Sequence, residues 1–462
     1  MSTPSLIVLH TNDIHGRVEG LARIATLVSR IKAENPATPV LYCDCGDVEE
    51  PSSRLSNVTK GTAMHRLLNA AGCAAAVAGN GAWLRYGPQV LAEHGAAARY
   101  TLLAANLRTH AGELLAGVQP AALLQAGSLR LGVIGVSTDM PDYTAFFDLQ
   151  AIPTAPVVRE LAASLRQDGA DAVVVLSHLG LAADRALAAD LQEDVVAILG
   201  GHSHDLLPAG ERIGRVVVAQ AGQYAGRLGR LDLAWDCAQA TVMAVAALPI
   251  SDAIPLSEAV LAEAQAIEVE GARFLAEIIG ELAEPLDFAA DRECAAGNLM
   301  ADVLRERMGA EVALVAAGQA FIGPLPGGPL PRGALWDVCS STANPAMVTL
   351  TAAQLAALVT KGQDPVFAAE RPHTLRGHPR GLIHLSGASV RAGQLLVGGE
   401  PVEPDREYQV AGSDWEFEPY GGYVERAWGL RPRYEAPTIL REALEEYMAT
   451  HRPVRVQMGR VS

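Results

Sequence analysis

Seven residues with metal-ligating side chains fall in five short blocks, each just after an apolar run of strand length. They are Asp13 and His15 in Asp13-Ile14-His15, Asp47 in Gly46-Asp47, Asn80 in Gly79-Asn80-Gly81, His178 in Ser177-His178, and His202 and His204 in Gly200-Gly201-His202-Ser203-His204. Residues two apart on an extended segment face the same way, so Asp13 and His15 can hold one ion together, and His202 and His204 repeat that spacing. Asp47 offers an anionic bridge, Asn80 a neutral oxygen and His178 another imidazole. That is more than one tetrahedral zinc site takes. It suits two ions roughly 3.5–4 Å apart sharing a carboxylate, an arrangement that hydrolyses phosphate esters through a metal-bound hydroxide. A set of Asp, Asn and His without Cys favours Mn, Zn, Fe or Co. An isolated Asp after a strand is ordinarily a turn or helix cap, but five such blocks in order call for a shared explanation.

The elements that must position these blocks alternate from residue 5 to about residue 235. Strand-like runs such as 40–45, 102–105, 131–136, 172–176, 196–199, 216–219 and 231–234 are separated by helical stretches at 20–34, 62–71, 157–168 and 182–191. This alternation predicts an α/β layered domain, and open α/β sheets gather ligands at the C-terminal ends of their strands, where the blocks lie. Residues 254–282 read as one long helix bridging two domains. Beyond Pro285 come a helix at 295–308, strands at 312–316, 347–350, 382–385 and 408–411, a closing helix at 438–450, and a Gly- and Pro-rich loop at 323–333.

A chain of 462 residues exceeds what one core usually serves. Half of it is apolar, 19% is charged, and the formal net charge is −16. That balance excludes a polymeric nucleic-acid partner, which needs clustered Lys and Arg, but not a small phosphate held by metal ions. No apolar window reaches membrane-span length, and the opening residues Met1-Ser2-Thr3-Pro4 carry no signal-like segment, so no membrane partner and a cytoplasmic location are expected. Six scattered cysteines, among them Cys43 and Cys45 two apart on one strand, are expected to be free buried thiols.

The opening block Leu9-His10-Thr11-Asn12-Asp13-Ile14-His15-Gly16-Arg17, the four later blocks and Gln220-Ala221-Gly222 resemble the 5′-nucleotidase and 2′,3′-cyclic phosphodiesterase family of the metallophosphoesterase (calcineurin-like) superfamily. The resemblance continues in Ala296-Gly297-Asn298-Leu299-Met300-Ala301-Asp302, in Gly398-Gly399-Glu400-Pro401-Val402 and in the stretch from Tyr408 to Ser413. It implies an α/β fold: a four-layer αββα metallophosphoesterase sandwich over 1–250, a linker helix over 251–284 and a C-terminal α/β substrate-binding domain over 285–462. It also implies that Asp13, His15, Asp47 and His204 hold one divalent metal ion and Asp47, Asn80, His178 and His202 the other. The substrate implied is a small phosphate ester, nucleotide-like.

The chain departs from the family at substrate handling. The family's catalytic His after the third-block Asn, and its partner Asp three residues on, are here Gly81 and Leu84. Arg85, one position further, is the nearest residue able to stabilise charge developing on phosphate, unless it is an ordinary surface arginine. The family's Asn-Gly-Gly-x-Arg stretch is Ala316-Ala317-Gly318-Gln319-Ala320, and its Pro-Phe-Gly-Asn loop is Ser341-Thr342-Ala343-Asn344. Trp415 stands at the second base-stacking position, in a segment read as a loop. The expectation is a phosphoesterase suited to good leaving groups, with a metal-binding pseudoenzyme that holds a phosphorylated metabolite as the alternative.

Overall fold

The computed structural model describes residues 4–236, 239–372 and 378–461, and of residues 142–144 the backbone alone. Cys237 and the first three residues lie outside that range. The chain divides into two compact units, Met1–Gly271 and Ala272–Ser462.

In the first unit the alternation of apolar residues builds two six-stranded sheets. One runs Ala240–Pro249, Arg227–Trp235, Leu6–Thr11, Val40–Asp44, Ala75–Val77, Thr101–Leu103, and the other Glu211–Ile213, Val216–Gln220, Ala197–Gly200, Ala172–Ser177, Leu129–Val136, Ala121–Ala126. In the first, the four strands from Leu6–Thr11 to Thr101–Leu103 are parallel and the remaining two pair antiparallel; in the second, the four central strands are parallel and both edge strands antiparallel. Strand period two then sorts the faces. Leu6 and Val8 meet Val174, Leu176, Ala197 and Leu199 in a core between the sheets, whereas Ile7 and Leu9 turn outward against Leu21, Ile24 and Val28 of the helix Val18–Glu34. Ile134 and Val175 turn the other way, onto Val158 and Ala162 of Thr154–Gln167. The four layers are αββα. Cys43 and Cys45 are free and buried between the sheets, and of the other described cysteines Cys73, Cys294 and Cys339 are also free.

The helix expected over 254–282 is shorter, Glu258–Ala276, and straddles the division between the units. Its tail is instead the strand Ile278–Leu282, paired antiparallel with Gly328–Pro331. The stretch expected as loop at 323–333 therefore contains a strand. Two prolines disguised it; each lacks an N–H, and a two-stranded pair tolerates that loss on its open side.

In the second unit a five-stranded sheet, Ile383–Ser386, Val312–Ala316, Glu407–Ser413, Pro345–Thr351, Arg433–Tyr434, separates two cores. Ala313 and Val315 face the helix Ala295–Met308, and Val312 and Leu314 face Leu355 and Leu358 of Ala352–Gly362. Beneath the first helix His384 is 1% exposed, with Nε2 accepting from the Cys294 N–H at 2.9 Å and Nδ1 facing the Leu382 carbonyl at 3.1 Å. Both ring nitrogens are satisfied only in the neutral form, and burial lowers the pKa from 6.5 to about 4. A depressed histidine leaves the folded state fully favoured above pH 6.5 and costs stability as pH falls toward 4, by on the order of 3 kcal/mol. Urea unfolding of wild type and His384→Gln at neutral pH and near pH 4 is expected to show the wild type losing more; parallel losses in both would exclude this origin.

Candidate metal centre

The strand Leu6–Thr11 ends at Thr11, but its ladder with the next strand continues into the loops beyond. Cys45 N–H donates to the Thr11 carbonyl at 2.8 Å, Asp13 N–H to Gly46 at 3.0 Å, His15 N–H to Asp47 at 3.0 Å and Gly16 N–H to Val48 at 2.9 Å. The first two ligand blocks are thus zipped side by side. Asp13 (φ 51), His15 (φ 48), Asp47 (φ 51), His202 (φ 73) and His204 (φ 60) all have left-handed backbone. The expectation that pairs two apart converge because they lie on extended chain is corrected here: these residues sit on tight turns past the strand ends. Left-handed conformation costs an L-residue roughly 1–2 kcal/mol, and strain of this kind collects at functional sites.

The turns bring the seven side chains together. His204 Nε2 lies 3.4 Å and His15 Nε2 3.8 Å from Asp13 Oδ1, and the two imidazole nitrogens are 3.1 Å apart. On the other side His178 Nε2 is 3.3 Å from Asp47 Oδ2, and His202 Nδ1 is 2.9 Å from Asn80 Oδ1. Asp13 links the halves by accepting from the His202 N–H at 3.0 Å. Asp13 and His178 are fully buried, while His204 is a third exposed, so the centre opens at that edge. The rings of His15 and His204 lie 5.6 and 6.3 Å from that of Tyr224, which carries the Arg17 guanidinium 4.8 Å above it.

Whether these groups suit a divalent cation is answered by His178. Its Nδ1 lies 2.7 Å from the Cys45 carbonyl, an acceptor only, so Nδ1 bears the proton and Nε2 turns a bare lone pair toward Asp47. That buried Nε2 has no hydrogen-bond partner among the described residues. A lone pair facing a carboxylate at 3.3 Å needs a positive charge between them. In the metal-free chain a proton can serve: burial works to lower the His178 pKa, and the Asp47 carboxylate outweighs it and lifts it to about 9. Burial likewise works to raise Asp47, which His178 and the Gly81 N–H hold below the usual carboxylate range. The donor set fits divalent metal binding.

Sequence reasoning missed the residues that hold these turns. Asn12 donates to Asp13 Oδ2 at 2.8 Å and accepts from the Ala221 N–H at 2.9 Å. Asp184 accepts from Ser177 Oγ at 2.5 Å and Gln220 Nε2 at 2.8 Å, and Gln220 in turn accepts from Ser203 Oγ at 3.3 Å. Asn12 and Gln220 lie inside the quoted motifs and were findable; Asp184, in the first turn of the helix Leu181–Asp190, reads from sequence as an ordinary first-turn acid. Gly79 is held to glycine by contact, because a Cβ there would stand 2.1 Å from Asp47 Oδ1 and 2.2 Å from Asp47 N. Gly79→Ala is therefore expected to displace Asp47 and to weaken metal binding on the order of 10–100-fold, as when a ligand loses its support. Equilibrium dialysis against manganese checks this, and unchanged affinity would refute it.

Gly81 opens the short helix Gly81–Tyr86, its N–H donating to Asp47 Oδ1 at 2.8 Å. Leu84, one turn on, packs partly buried against the core of the first unit that holds Leu21 and Ile24. Arg85 places its guanidinium 4.7 Å over the Tyr86 ring. In the second unit the stretches that depart from the resembled family meet one another: Gln319 Nε2 donates to Ser341 Oγ at 3.1 Å, and both line a cavity of about 380 Å³ with Gly318, Asp414, Trp415 and Tyr420. Ala320 is fully buried. Trp415 lies on the one-turn helix Asp414–Phe417, capped by Ser413 and Glu416, which corrects its reading as loop. It is 4% exposed, edge-on to Tyr423 at 5.4 Å, with the Arg380 guanidinium at 5.2 Å and its buried Nε1 without a partner among the described residues.

Two sheets carrying a histidine and carboxylate centre at their strand ends define the metallophosphoesterase class. Residues 278–425 match the family model described as 5′-nucleotidase, C-terminal domain. The uncharacterized metallophosphoesterase YunD of Bacillus subtilis (strain 168) is 26% identical over 426 residues, spanning 88% of this chain and 91% of that protein. The crystal structure of a 5′-nucleotidase precursor from Thermus thermophilus superposes with a TM-score of 0.55 at 23% identity, covering 99% and 98% of the two chains. The NAD nucleotidase of Haemophilus influenzae gives 0.59 at 14% identity over 99% and 98%. Residues 278–425 thus carry the C-terminal domain of 5′-nucleotidases, and along its length the chain is similar to metallophosphoesterases and 5′-nucleotidases, hydrolases of phosphoric ester bonds.

Proposed function

We propose that the protein is a divalent-metal-dependent phosphoesterase acting on a small, nucleotide-like phosphate ester whose leaving group needs little protonation. The observation that carries this reading is the buried lone pair of His178 facing Asp47 within a set of seven converging ligands. Asp13, His15, Asp47 and His204 would hold one ion, and Asp47, Asn80, His178 and His202 the other. Bound there, the ions would supply positive charge to phosphoryl oxygens and acidify water. The protein's own contribution is orientation: Asn12, Asp184 and Gln220 fix the ligand turns, and the Gly81 N–H fixes one oxygen of Asp47.

The leaving-group preference follows from Gly81 and Leu84, neither of which can protonate a departing oxygen. Manganese-loaded protein is expected to hydrolyse an aryl phosphate or a cyclic phosphodiester much faster than AMP; equal or greater turnover of AMP would refute the preference. A second reading, a metal-binding protein that holds a phosphorylated metabolite without turnover, is favoured by Ala320, which stands at the position of the resembled family's arginine and offers no charge to a phosphate. Metal-dependent turnover of any phosphate ester by the purified protein would rule it out.

A further inference from the structure

A second group of metal-ligating side chains lies in the first unit, apart from the seven already described. Glu49, His65 and His94 are 5%, 2% and 1% exposed. They come from three separate elements: the turn that follows Asp47, the helix Thr62–Ala70 and the helix Val90–Ala97. His65 Nε2 is 2.6 Å and His94 Nδ1 3.4 Å from the same oxygen, Glu49 Oε1, and the two rings lie 4.3 Å apart. One ligand atom from each lies within 4.8 Å of the others.

The outer nitrogens of both rings are already anchored. His94 Nε2 lies 2.7 Å from the Lys60 carbonyl, which can only accept, so Nε2 carries the proton and Nδ1 turns a bare lone pair toward Glu49. His65 Nδ1 is 2.6 Å from the Tyr100 hydroxyl, which can accept its proton and free Nε2 in the same direction. Imidazoles fixed from behind by an oxygen are the usual support of metal-ligating histidines. The 3.4 Å from His94 to Glu49 is close to the edge, roughly 3.3 Å, of a tetrahedron with zinc bonds of about 2.0–2.1 Å. Gly61 (φ +90) closes the site, since a Cβ there would stand 2.7 Å from Glu49 Cγ and 2.9 Å from His94 Nε2.

We propose that Glu49, His65 and His94 form a further divalent-metal site of the zinc type, with two imidazoles, one carboxylate and a water as ligands. Glu49 is two residues from Asp47, so an ion here anchors the turn that carries Asp47. Unliganded, the same residues would be a buried hydrogen-bonded network, and the experiment separates these states.

The test uses the full chain carrying Asp13→Ala and His178→Ala, which take a ligand from each ion proposed for the other centre, stripped with a chelator and titrated with Co²⁺. The expected result is one tightly held equivalent with the intense visible absorption of four-coordinate cobalt. That signal is lost when His94→Ala, or the isosteric Glu49→Gln, is added to this background. Zinc is expected to raise the melting temperature of the background variant and to leave the one with added Glu49→Gln unmoved. Absence of a cobalt spectrum in the background variant, or an equal zinc-induced rise with Glu49→Gln added, overturns the proposal. Because the readout is taken with the other centre disabled, neither result bears on the phosphoesterase reading.

Discussion

Asp47→Ala is expected to lower the rate on an aryl phosphate by more than about 100-fold, beyond the range seen when only the support of a metal ligand is removed. The reason is geometric. Asp47 faces the orphaned Nε2 of His178 at 3.3 Å, takes the Gly81 N–H at 2.8 Å and sits where both proposed ions would share it. Its loss would leave His178 aimed at nothing and remove the charge that would balance the proposed ions. Metal content should fall along with turnover, while far-ultraviolet circular dichroism stays that of wild type, because Asp47 lies in a turn outside both sheets. A folded variant that keeps its metal and loses less than tenfold in kcat/KM would remove Asp47 from the chemistry.

The second large effect is a gain. In the resembled family a His and an Asp three residues apart assist the leaving group, and here those positions are Gly81 and Leu84. They lie one turn apart on the helix Gly81–Tyr86, so they share a face. A Cβ at Gly81 would meet nothing closer than Asp47 Oδ1 at 3.3 Å, a contact that small shifts relieve. Gly81→His with Leu84→Asp is therefore expected to raise hydrolysis of AMP by roughly 100- to 10,000-fold, the contribution of a well-placed general acid. Hydrolysis of an aryl phosphate, whose oxygen departs unaided, should change far less. Leu84 packs against the core that holds Leu21 and Ile24, so the aspartate carries a stability cost, and melting temperatures of both single variants belong in the experiment. A folded, metal-loaded double variant with no gain on AMP would show that the missing pair is not what limits the reaction.

Much of this site could be read from the sequence because each ligand block directly follows an apolar run of strand length. Spacing set His15 with Asp13 and His202 with His204; the fold puts His204 beside His15 and Asp13 and His202 beside Asn80. The spacing rule assumed extended chain, whereas the backbone is left-handed, at Asp13 and His15 within the ladder that zips the first two blocks together. Glu49, His65 and His94 could not be found this way. They are distant in the chain and sit on elements whose periodicity reports only the core, so their meeting is a tertiary event. The strand Ala240–Pro249 escaped because small and apolar residues follow one another along it with no sustained alternation. Trp415 was located, but its burial against Tyr423 and Arg380 depends on residues scattered over 380–423, which no local pattern relates.

The left-handed turns also bear on how such a protein can change over generations. A residue held at positive φ by a neighbouring strand's carbonyls is constrained twice, by its side chain and by its backbone, and few substitutions satisfy both. Gly81, Leu84 and the stretch from Ala317 to Ala320 lie on ordinary helical backbone, where one side chain can replace another without disturbing the turns. The two parts of the machinery are thus free to age at different rates. Substrate preference can be rewritten on the helices while the metal cradle stands unaltered, so a lineage can abandon one phosphate ester for another without passing through a protein that has lost its ions.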